Sequence, residues 1–415
     1  MEFDTRISHS RPTEVELDTP AYRDDADAAY RQISSHAPIV PLVLPEGLRV
    51  WAATRYREGM QVLRDPRFVK SSDDLPPPLR AFGGRRYTED LMAVEGRHMN
   101  NAPVRDHTRL RRPVAKHFSA RRIRHHEPFI TRTAEGLLRP LADVAGFDLV
   151  SEFCRPLASQ VLGEIMGLPV GLRGDASRLI GMLGSRNHPL TPRMRQTYTD
   201  LVDLLRDVLR EQPAPGSVIA TLHNEHAAGR MSKREMVSTL IFVLGAGTVS
   251  TQSTIGYGTV VLCRHPAQRR QLLIDENHAE AVIEELWRYH SPFPFSTWRF
   301  AAEDVEIAGR VIPTGCPVLV LLASANRDPD IHDDPDTFCP YRPTAAAQLT
   351  FGHGPHYCIG AHLARSEARI ALTTLFTLLP TITLDTAPEA LAWQGMLHDR
   401  TLAALPLRQE SRLPT

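Results

Sequence analysis

Cys358 lies in a segment whose residue types and spacing could bind a metal ion. The segment FGHGPHYCIGAHLAR, residues 351–365, places this cysteine just before a predicted helix, behind a loop that contains Gly352 and Gly354. Exposed N–H groups and the dipole at a helix N-terminus lower the pKa of a thiol, so we expect Cys358 to form the thiolate that binds metal or attacks carbon. Taken alone, a cysteine near glycines is more often an inert core residue.

Two charged pairs upstream of this loop have helical spacing. Glu285 and Arg288 are three residues apart, so a carboxylate and a guanidinium can meet on one helix face. His107 and Arg111, in DHTRLRR, are four residues apart and could bind an anion from one face. In the alternative interpretation, the first pair is a solvated surface bridge and the second is a solvated helix end.

The composition indicates a globular protein with balanced charge. The 415 residues are 42% hydrophobic and 23% charged, and 48 Lys plus Arg balance 48 Asp plus Glu. This balance gives no global basic field, so no nucleic-acid partner is expected. Five scattered cysteines without a CxxC pair predict a reduced, cytoplasmic chain. The acidic N-terminus lacks the apolar core of a signal peptide, and no membrane anchor is expected there.

The pattern of apolar residues predicts a mainly helical protein with small β-sheets. Residues 104–290 have mostly helical periodicity, and a further helix is predicted after residue 360. Residues 38–56 and 305–322 contain apolar runs separated by turn residues, which predict two β regions. The stretch from residue 236 to 263 is uncharged and long enough to cross a membrane, but its hydroxyl groups and glycines favour a helix buried in protein.

The spacing FxxGxxxCxG, met here by Phe351, Gly354, Cys358 and Gly360, resembles the haem-ligand signature of the cytochrome P-450 family. The resemblance implies a haem b cofactor (iron protoporphyrin IX) with the Cys358 thiolate as the ligand of its iron. It also implies an enzyme, a monooxygenase or oxidase that activates dioxygen to oxidise a small organic molecule of bacterial secondary metabolism.

Other segments match the same family in order along the chain. Glu285 and Arg288 are similar to its ExxR motif, and Arg342 in DTFCPYRP is similar to the third member of that structural triad. The resemblance extends from about residue 40 to 407. It implies a mainly α cytochrome P-450 fold, with haem between the long central helix and the helix after the Cys358 loop. We expect one domain at residues 40–415, preceded by an N-terminal extension at residues 1–39.

The family resemblance also assigns the residues that hold the cofactor and the source of electrons. The expected haem contacts are His107, Arg111, Arg299, Phe351, Gly352, His356, Cys358 and Gly360, with the four basic residues on the two propionates. No GxGxxG motif opens a helix after a strand, so electrons must come from outside, from ferredoxin and ferredoxin reductase. Positive charge suited to an acidic ferredoxin is concentrated at Arg105, Arg109, Arg112, Lys116, Arg121 and Arg122, unless these residues are only a solvated helix edge.

The long helix departs from the family pattern at the residues expected to deliver protons. Ala246 and Gly247 match, but Val249 stands where an acid is usual and Ser250 where Thr is usual. Valine cannot relay a proton, so Ser250, with Thr251 or a water, must work by an altered route. Three possibilities follow: hydroxylation with protons from water or substrate, oxidative C–C or C–N coupling, or a different haem reaction. The AGxxST run resembles members that couple cyclic dipeptides.

The sequence gives little information about the substrate. Family analogy places Asn100, Val243, Ala246, Phe293, Phe295, Trp298 and Met396 at the pocket, which would combine aromatic walls with a few polar groups. A packed core would use the same residue types. A contrasting hypothesis is a haem-binding sensor or carrier that has this fold and does no turnover.

Overall fold

The computed structural model describes residues 25–44, 48–77, 79, 97–184, 192–211, 213–394 and 400–409. Helices dominate it, as predicted. They are α1 (Ala26–His36), α2 (Tyr56–Arg64), α3 (Val104–Ala115), α4 (Ala120–Leu138), α5 (Arg155–Met166), α6 (Val170–Gly184), α7 (Pro192–Val208), α8 (Val218–Ala227), α9 (Lys233–Arg264), α10 (Pro266–Leu272), α11 (Glu276–Tyr289), α12 (Leu322–Ala325) and α13 (Ala361–Leu378).

The strands are short and form small sheets. They are β1 (Ile39–Leu44), β2 (Leu48–Ala53), β3 (Phe68–Val69), β4 (Gly146–Asp148), β5 (Arg299–Ala301), β6 (Val305–Ile307), β7 (Arg310–Ile312), β8 (Pro317–Val320), β9 (Ile382–Leu384), β10 (Trp393–Gln394), β11 (Thr401–Leu402) and β12 (Pro406–Gln409). One five-stranded sheet has the order β1-β2-β8-β5-β3, and smaller sheets are β4-β12-β9, β6-β7 and β10-β11.

The two predicted β regions are present and meet in the five-stranded sheet. Strands β1 and β2 form the antiparallel hairpin expected from the first region. In the second region, β6 and β7 pair across Ala308 and Gly309, which have φ of 49° and 72°. Positive φ at both central residues is the geometry of a tight hairpin turn. Strand β8 then runs parallel to β2 and joins the two regions.

Helix α9 crosses the middle of the protein. It begins at a capping box in which the Ser232 hydroxyl accepts from the Glu235 N–H and the Glu235 carboxylate accepts from the Ser232 N–H. It is long and apolar enough to span a membrane by length and composition, yet 67% of its most apolar window is buried inside the protein. The predicted core helix is therefore observed, since α9 packs against α5, α6 and α13.

Helix α1 packs on the five-stranded sheet, although it lies within the segment expected to be an extension. Tyr30 and Ile33 are buried in a cluster with Val50, Phe295 and Leu321. The ring of Tyr30 meets that of Phe295 edge to face, with centroids 6.3 Å apart. Asp25 caps the helix by accepting from the Ala28 N–H at 2.9 Å.

Candidate functional site

The Cys358 loop is closed by a main-chain hydrogen bond. The Cys358 N–H donates to the Phe351 carbonyl at 2.8 Å, just before helix α13 begins. Gly352 and Gly354 have φ of 69° and 74°, in the left-handed region that favours glycine. A Cβ at Gly354 would also lie 2.9 Å from the carbonyl oxygen of Leu63. The two glycines therefore allow a tight loop that packs closely on helix α2.

Aromatic and charged neighbours fix this loop against helix α11. Phe351 is buried, and its ring centroid lies 4.8 Å from that of Trp287. The Arg365 guanidinium lies 4.4 Å from the Phe351 ring centroid on the other side. Gly360 precedes α13, and a Cβ there would lie 3.8 Å from the Cys358 sulfur, at ordinary contact distance. The loop thus presents the thiol at the start of α13.

The acidity expected of Cys358 is wrong for the protein without a ligand. Loss of solvent raises the pKa of this thiol above its ordinary value of 9.0, although the Gly360 N–H, Arg111 and Arg365 all act to lower it. The helix N-terminus therefore does not outweigh desolvation. A metal ion that binds a thiol deprotonates it outright, so the thiolate form requires the metal. Protein atoms surround Cys358 on most sides, yet its side chain remains accessible to water and available for such a bond.

The central part of helix α9 has the exposure expected of a wall facing a cofactor. Residues 246–250 are all half-buried, whereas nearly all residues just before and after them are buried. Gly247 has a packing role, since a Cβ there would lie 2.7 Å from a methyl group of Leu162 on α5. The Ser250 hydroxyl donates to the Ala246 carbonyl at 2.8 Å, inside the helix. It therefore already has a main-chain partner.

Basic side chains cluster beside the thiol. The rings of His107 and His356 have centroids 4.1 Å apart, and Arg111 donates to the carbonyl of Tyr357. Desolvation lowers the pKa of His107, and the charges of Arg111 and Lys70 lower it further. Desolvation, Lys70 and Arg299 act in the same direction on His356. Four chain segments that are distant in sequence therefore meet at one cationic cluster.

This arrangement fits haem. Desolvation and like charges destabilise the cationic cluster, which two carboxylates would neutralise. The Nε2 atom of His107 is buried without a hydrogen-bond partner among the described residues, and a carboxylate could accept its proton. The thiol of Cys358 is the soft ligand that iron in haem can take. His107, Arg111, Arg299 and His356 would hold the propionates.

The triad of Glu285, Arg288 and Arg342 is a buried ion cluster at some distance from the thiol. Arg288 donates to both carboxyl oxygens of Glu285, at 2.7 and 2.8 Å, and neither side chain is exposed to solvent. Arg342 lies 3.6 Å from the same carboxylate and donates to three main-chain carbonyls between residues 333 and 337. The solvated-bridge interpretation is excluded for this pair, and the cluster joins helix α11 to the segment before the Cys358 loop.

The proposed pocket residues in the described part of the chain are either buried or half-buried. Phe295 is 1% exposed and packs against Tyr30, so it is a core residue. Trp298 and Phe293 are half-buried, and Val243 is buried on α9. Asn100 is half-buried, and its amide oxygen accepts from the Thr297 hydroxyl at 3.3 Å. Met396 and most of the loop at 74–101 lie outside the described residues.

Sequence reasoning missed two buried ionisable side chains next to the site. Lys70, at the end of β3, is 2% exposed and donates to the Thr297 hydroxyl. Glu367, on α13, is 1% exposed and accepts from the Thr251 hydroxyl at 3.4 Å. The only signal in the sequence was a charged residue at an apolar position of a strand or helix. Burial, which decides the chemistry, became visible only in three dimensions.

The expected docking surface is partly occupied by internal ion pairs. Arg109 pairs with Asp106 at 2.9 Å and with Glu235 at 2.7 Å, so it ties helix α3 to the start of α9. The other members of the patch are exposed on α3, on the turn after it and on α4: Arg105, Arg112, Lys116, Arg121 and Arg122.

The fold and the site define a haem-thiolate protein, in which a long helix faces a cysteine loop and a basic cluster lies beside the thiol. A family model described as cytochrome P-450 matches residues 277–386. The chain is 33% identical to cytochrome P-450 107B1 of Saccharopolyspora erythraea over 396 residues, which span 94% of this chain and 96% of that protein. The protein belongs to the cytochrome P-450 family.

Further relatives and solved structures agree with this assignment. Vitamin D(3) 25-hydroxylase of Pseudonocardia autotrophica is 34% identical, with 92% of this chain and 94% of that protein covered. The structure of CxnD, a cytochrome P-450 enzyme for C–S bond formation, is 29% identical with a TM-score of 0.88, covering 98% and 99% of the two chains. The fold is the cytochrome P-450 fold, the cofactor is cysteine-ligated haem b, and the protein is an enzyme.

Proposed function

We propose that this enzyme hydroxylates a small organic substrate of bacterial secondary metabolism and receives its protons through Thr251 and Glu367. The observation that supports this route is the buried hydrogen bond between these two side chains, next to the helix positions where Val249 replaces the usual acid. The haem-thiolate oxidoreductase chemistry belongs to the family. The substrate, the reaction and the proton route are the proposal.

Bound haem, held by Cys358, would supply dioxygen activation. Burial raises the pKa of Glu367 well above its ordinary value of 4.5, which favours the protonated carboxyl. Its Oε1 atom is buried without a hydrogen-bond partner among the described residues, and its Oε2 atom meets Thr251. Thr251 is buried and directly follows the half-buried residues 246–250 of α9. In the proposed route the Glu367 carboxyl, when protonated, donates to the Thr251 hydroxyl, which passes a proton on toward the half-buried face of α9 at residues 246–250.

The partly apolar surroundings of the site favour a lipophilic substrate with few polar groups. Trp298 and Phe293 offer aromatic surface, and Asn100 offers an amide. Relatives at similar identity are named 6-deoxyerythronolide B hydroxylase, of Saccharopolyspora erythraea, and cytochrome P-450 monooxygenase PikC, of Streptomyces venezuelae. The first name supports hydroxylation as the reaction, and the second supports a monooxygenase.

Ferredoxin and ferredoxin reductase are the proposed electron donors, in the cytoplasm. The exposed members of the basic patch include Arg121 and Arg122 at the start of α4. Charge reversal of both residues to Glu should lower the rate of ferrous enzyme formation at low salt and weaken its salt dependence. Charge reversal of the exposed Arg310, on the β6-β7 hairpin, is the control and should leave that rate unchanged. Equal rates in both variants would exclude this docking face.

Oxidative coupling is the second candidate, and Val249 favours it. A coupling reaction removes hydrogen from the substrate and inserts no oxygen, so it makes fewer demands on an acid at position 249. CxnD, a structural neighbour with this fold, is named as an enzyme for C–S bond formation, which supports coupling as a candidate. A cyclic dipeptide is the coupling substrate we propose.

Substrate screening followed by isotope labelling tests the proposal. The holoenzyme is titrated with cyclic dipeptides, macrolides, terpenes and flavonoids, and compounds that shift the haem spectrum are turned over with reductase, ferredoxin and labelled dioxygen. Hydroxylation predicts one labelled oxygen in the product. A product that has lost two hydrogens and carries no label would establish coupling instead. Turnover without any product from spectrally active compounds would favour the sensor or carrier hypothesis.

A further inference from the structure

Lys70 and Arg299 occupy directly opposed positions at the end of two paired strands. Strand β3 pairs antiparallel with β5, with Phe68 opposite Ala301 and Val69 opposite Phe300. The next step of this register places Lys70 opposite Arg299. Both are buried, with 2% and 3% of their surface exposed. Like charges directly opposite each other on a sheet repel, so an anion bound between them would stabilise the arrangement.

The other positive charges around Lys70 add to this repulsion. Among the described residues, the charges that lower the pKa of His107 are those of Arg111 and Lys70, and both are positive. Desolvation and the charge of Arg299 hold the pKa of Lys70 well below its usual range. In the described part of the chain, Lys70 donates a hydrogen bond to the neutral hydroxyl of Thr297. A buried cation without an ion-pair partner costs several kcal/mol, so a carboxylate at this point would stabilise the charged form of Lys70.

We propose that Lys70 binds a haem propionate together with Arg299, and that Thr297 links this contact to Asn100 beside the substrate pocket. The inference rests on the haem site and is independent of the reaction or substrate. A lysine ammonium has three N–H donors. One of these N–H groups donates to Thr297, which leaves two that can donate to a carboxylate. Thr297 donates in turn to the amide oxygen of Asn100 at 3.3 Å, which gives a chain of hydrogen bonds from propionate to pocket.

Haem dissociation from the holoenzyme tests the contact. Lys70→Met keeps the length of the side chain and removes the charge, and Lys233→Met at an exposed position is the matched control. Haem transfer from each holoenzyme to excess apomyoglobin gives the dissociation rate. A hydrogen bond to a charged group contributes roughly tenfold in an equilibrium constant, so Lys70→Met should release haem about tenfold faster than wild type. The Lys233→Met rate should equal the wild-type rate.

A second cofactor separates a propionate contact from a purely structural role. In haem dimethyl ester the propionates carry no charge, so the wild-type enzyme and Lys70→Met should then release the cofactor at the same rate. The ferric/ferrous potential of Lys70→Met with normal haem should lie below the wild-type value, because a positive charge near the haem favours the reduced form. Equal dissociation rates with normal haem, or an effect of Lys70→Met that is as large with the ester, would overturn the proposal.

The three lysines of the chain allow a test that does not require the Lys70 variant to fold. Lys70, Lys116 and Lys233 give three signals in a spectrum of enzyme labelled with ¹³C at the lysine ε carbon. Removal of Lys116 and Lys233, one at a time, assigns all three. The proposal predicts that ferric haem shifts or broadens the Lys70 signal alone. An unperturbed Lys70 signal in the ferric holoenzyme would contradict it.

Discussion

Thr251 on helix α9 donates a hydrogen bond of 3.4 Å to Glu367 on helix α13. The bond crosses the interface between the two helices that flank the Cys358 loop and the expected haem. Glu367 is 1% exposed, and burial rather than a neighbouring charge is the main cause of its raised pKa. Burial therefore favours the protonated form of the Glu367 carboxyl, and its partner Thr251 lies one residue beyond the serine that takes the usual place of threonine.

The pH dependence of stability should reveal this carboxyl. Because the pKa of Glu367 is raised in the folded state, the folded protein binds more protons than the unfolded chain between pH 4.5, the ordinary pKa, and the raised value. Its contribution to stability is present below pH 4.5 and is lost as the pH rises through the folded-state pKa. Glu367→Gln should remove that loss, so the variant gains stability relative to wild type as pH increases. Urea unfolding at a series of pH values measures this, with exposed Glu306→Gln as the control. Parallel pH profiles for wild type and Glu367→Gln would contradict the expectation.

Substitution of Ser250 should have a modest effect. Its hydroxyl donates to the Ala246 carbonyl, and Val249 has already removed the acid of the usual pair. Ser250→Ala should lower turnover by less than about tenfold, whereas Thr251→Ala and Glu367→Gln should lower it by about 100-fold, within the range of general acid–base catalysis. Product formed per reduced nicotinamide consumed is the measurement. A severe loss in Ser250→Ala alone would return the proton route to this serine.

Restoring an acid at position 249 should bring no gain. In Val249→Glu a carboxylate enters a half-buried wall that has no charged partner in the described part of α9 next to it, and an unpaired charge is costly there. We expect weaker substrate binding, seen as a smaller spectral shift at equal concentration, with Val249→Leu as the control of similar polarity. Faster turnover in Val249→Glu would show that the usual relay operates.

Replacement of Cys358 should remove the thiolate signature. Cys358→Ser is expected to abolish the thiolate-type band of the reduced carbon-monoxide complex, since the serine oxygen is a harder and weaker ligand for haem iron. Cys263→Ser, a half-buried cysteine on α9, should retain the band. Persistence of the band in Cys358→Ser would exclude this residue as the ligand.

Loss of either arginine at the basic cluster should weaken haem retention. A buried carboxylate left without its partner costs about 3 to 5 kcal/mol. Arg111→Ala and Arg299→Ala are therefore expected to purify with reduced haem content and to melt at lower temperature, while Arg310→Ala at an exposed position should match wild type. Full haem occupancy together with unchanged melting in both cluster variants would refute the assignment of these residues to the propionates.

The sequence by itself determined the family, the order of the elements and the identity of the thiol loop. Gly354 can be anticipated there because a left-handed φ and a carbonyl at 2.9 Å leave no room for a side chain, a constraint that acts over a few residues. The Glu285–Arg288 pair was equally visible, since three-residue spacing on a helix brings the two side chains together. Geometric constraints between residues that are close in the sequence can therefore be recognised from local residue types and spacing.

Only the tertiary structure decided which of these groups are buried and what they meet. The thiol of Cys358 has a raised rather than a lowered pKa, because the surrounding protein removes water more effectively than one helix end supplies positive potential. Lys70 and Arg299 are 229 positions apart in the sequence and become neighbours through strand pairing. Thr251 and Glu367 meet because two long helices cross. Such contacts depend on packing between distant segments, and desolvation follows from that packing. Neither the contacts nor the desolvation can therefore be predicted from the residue type at a single position.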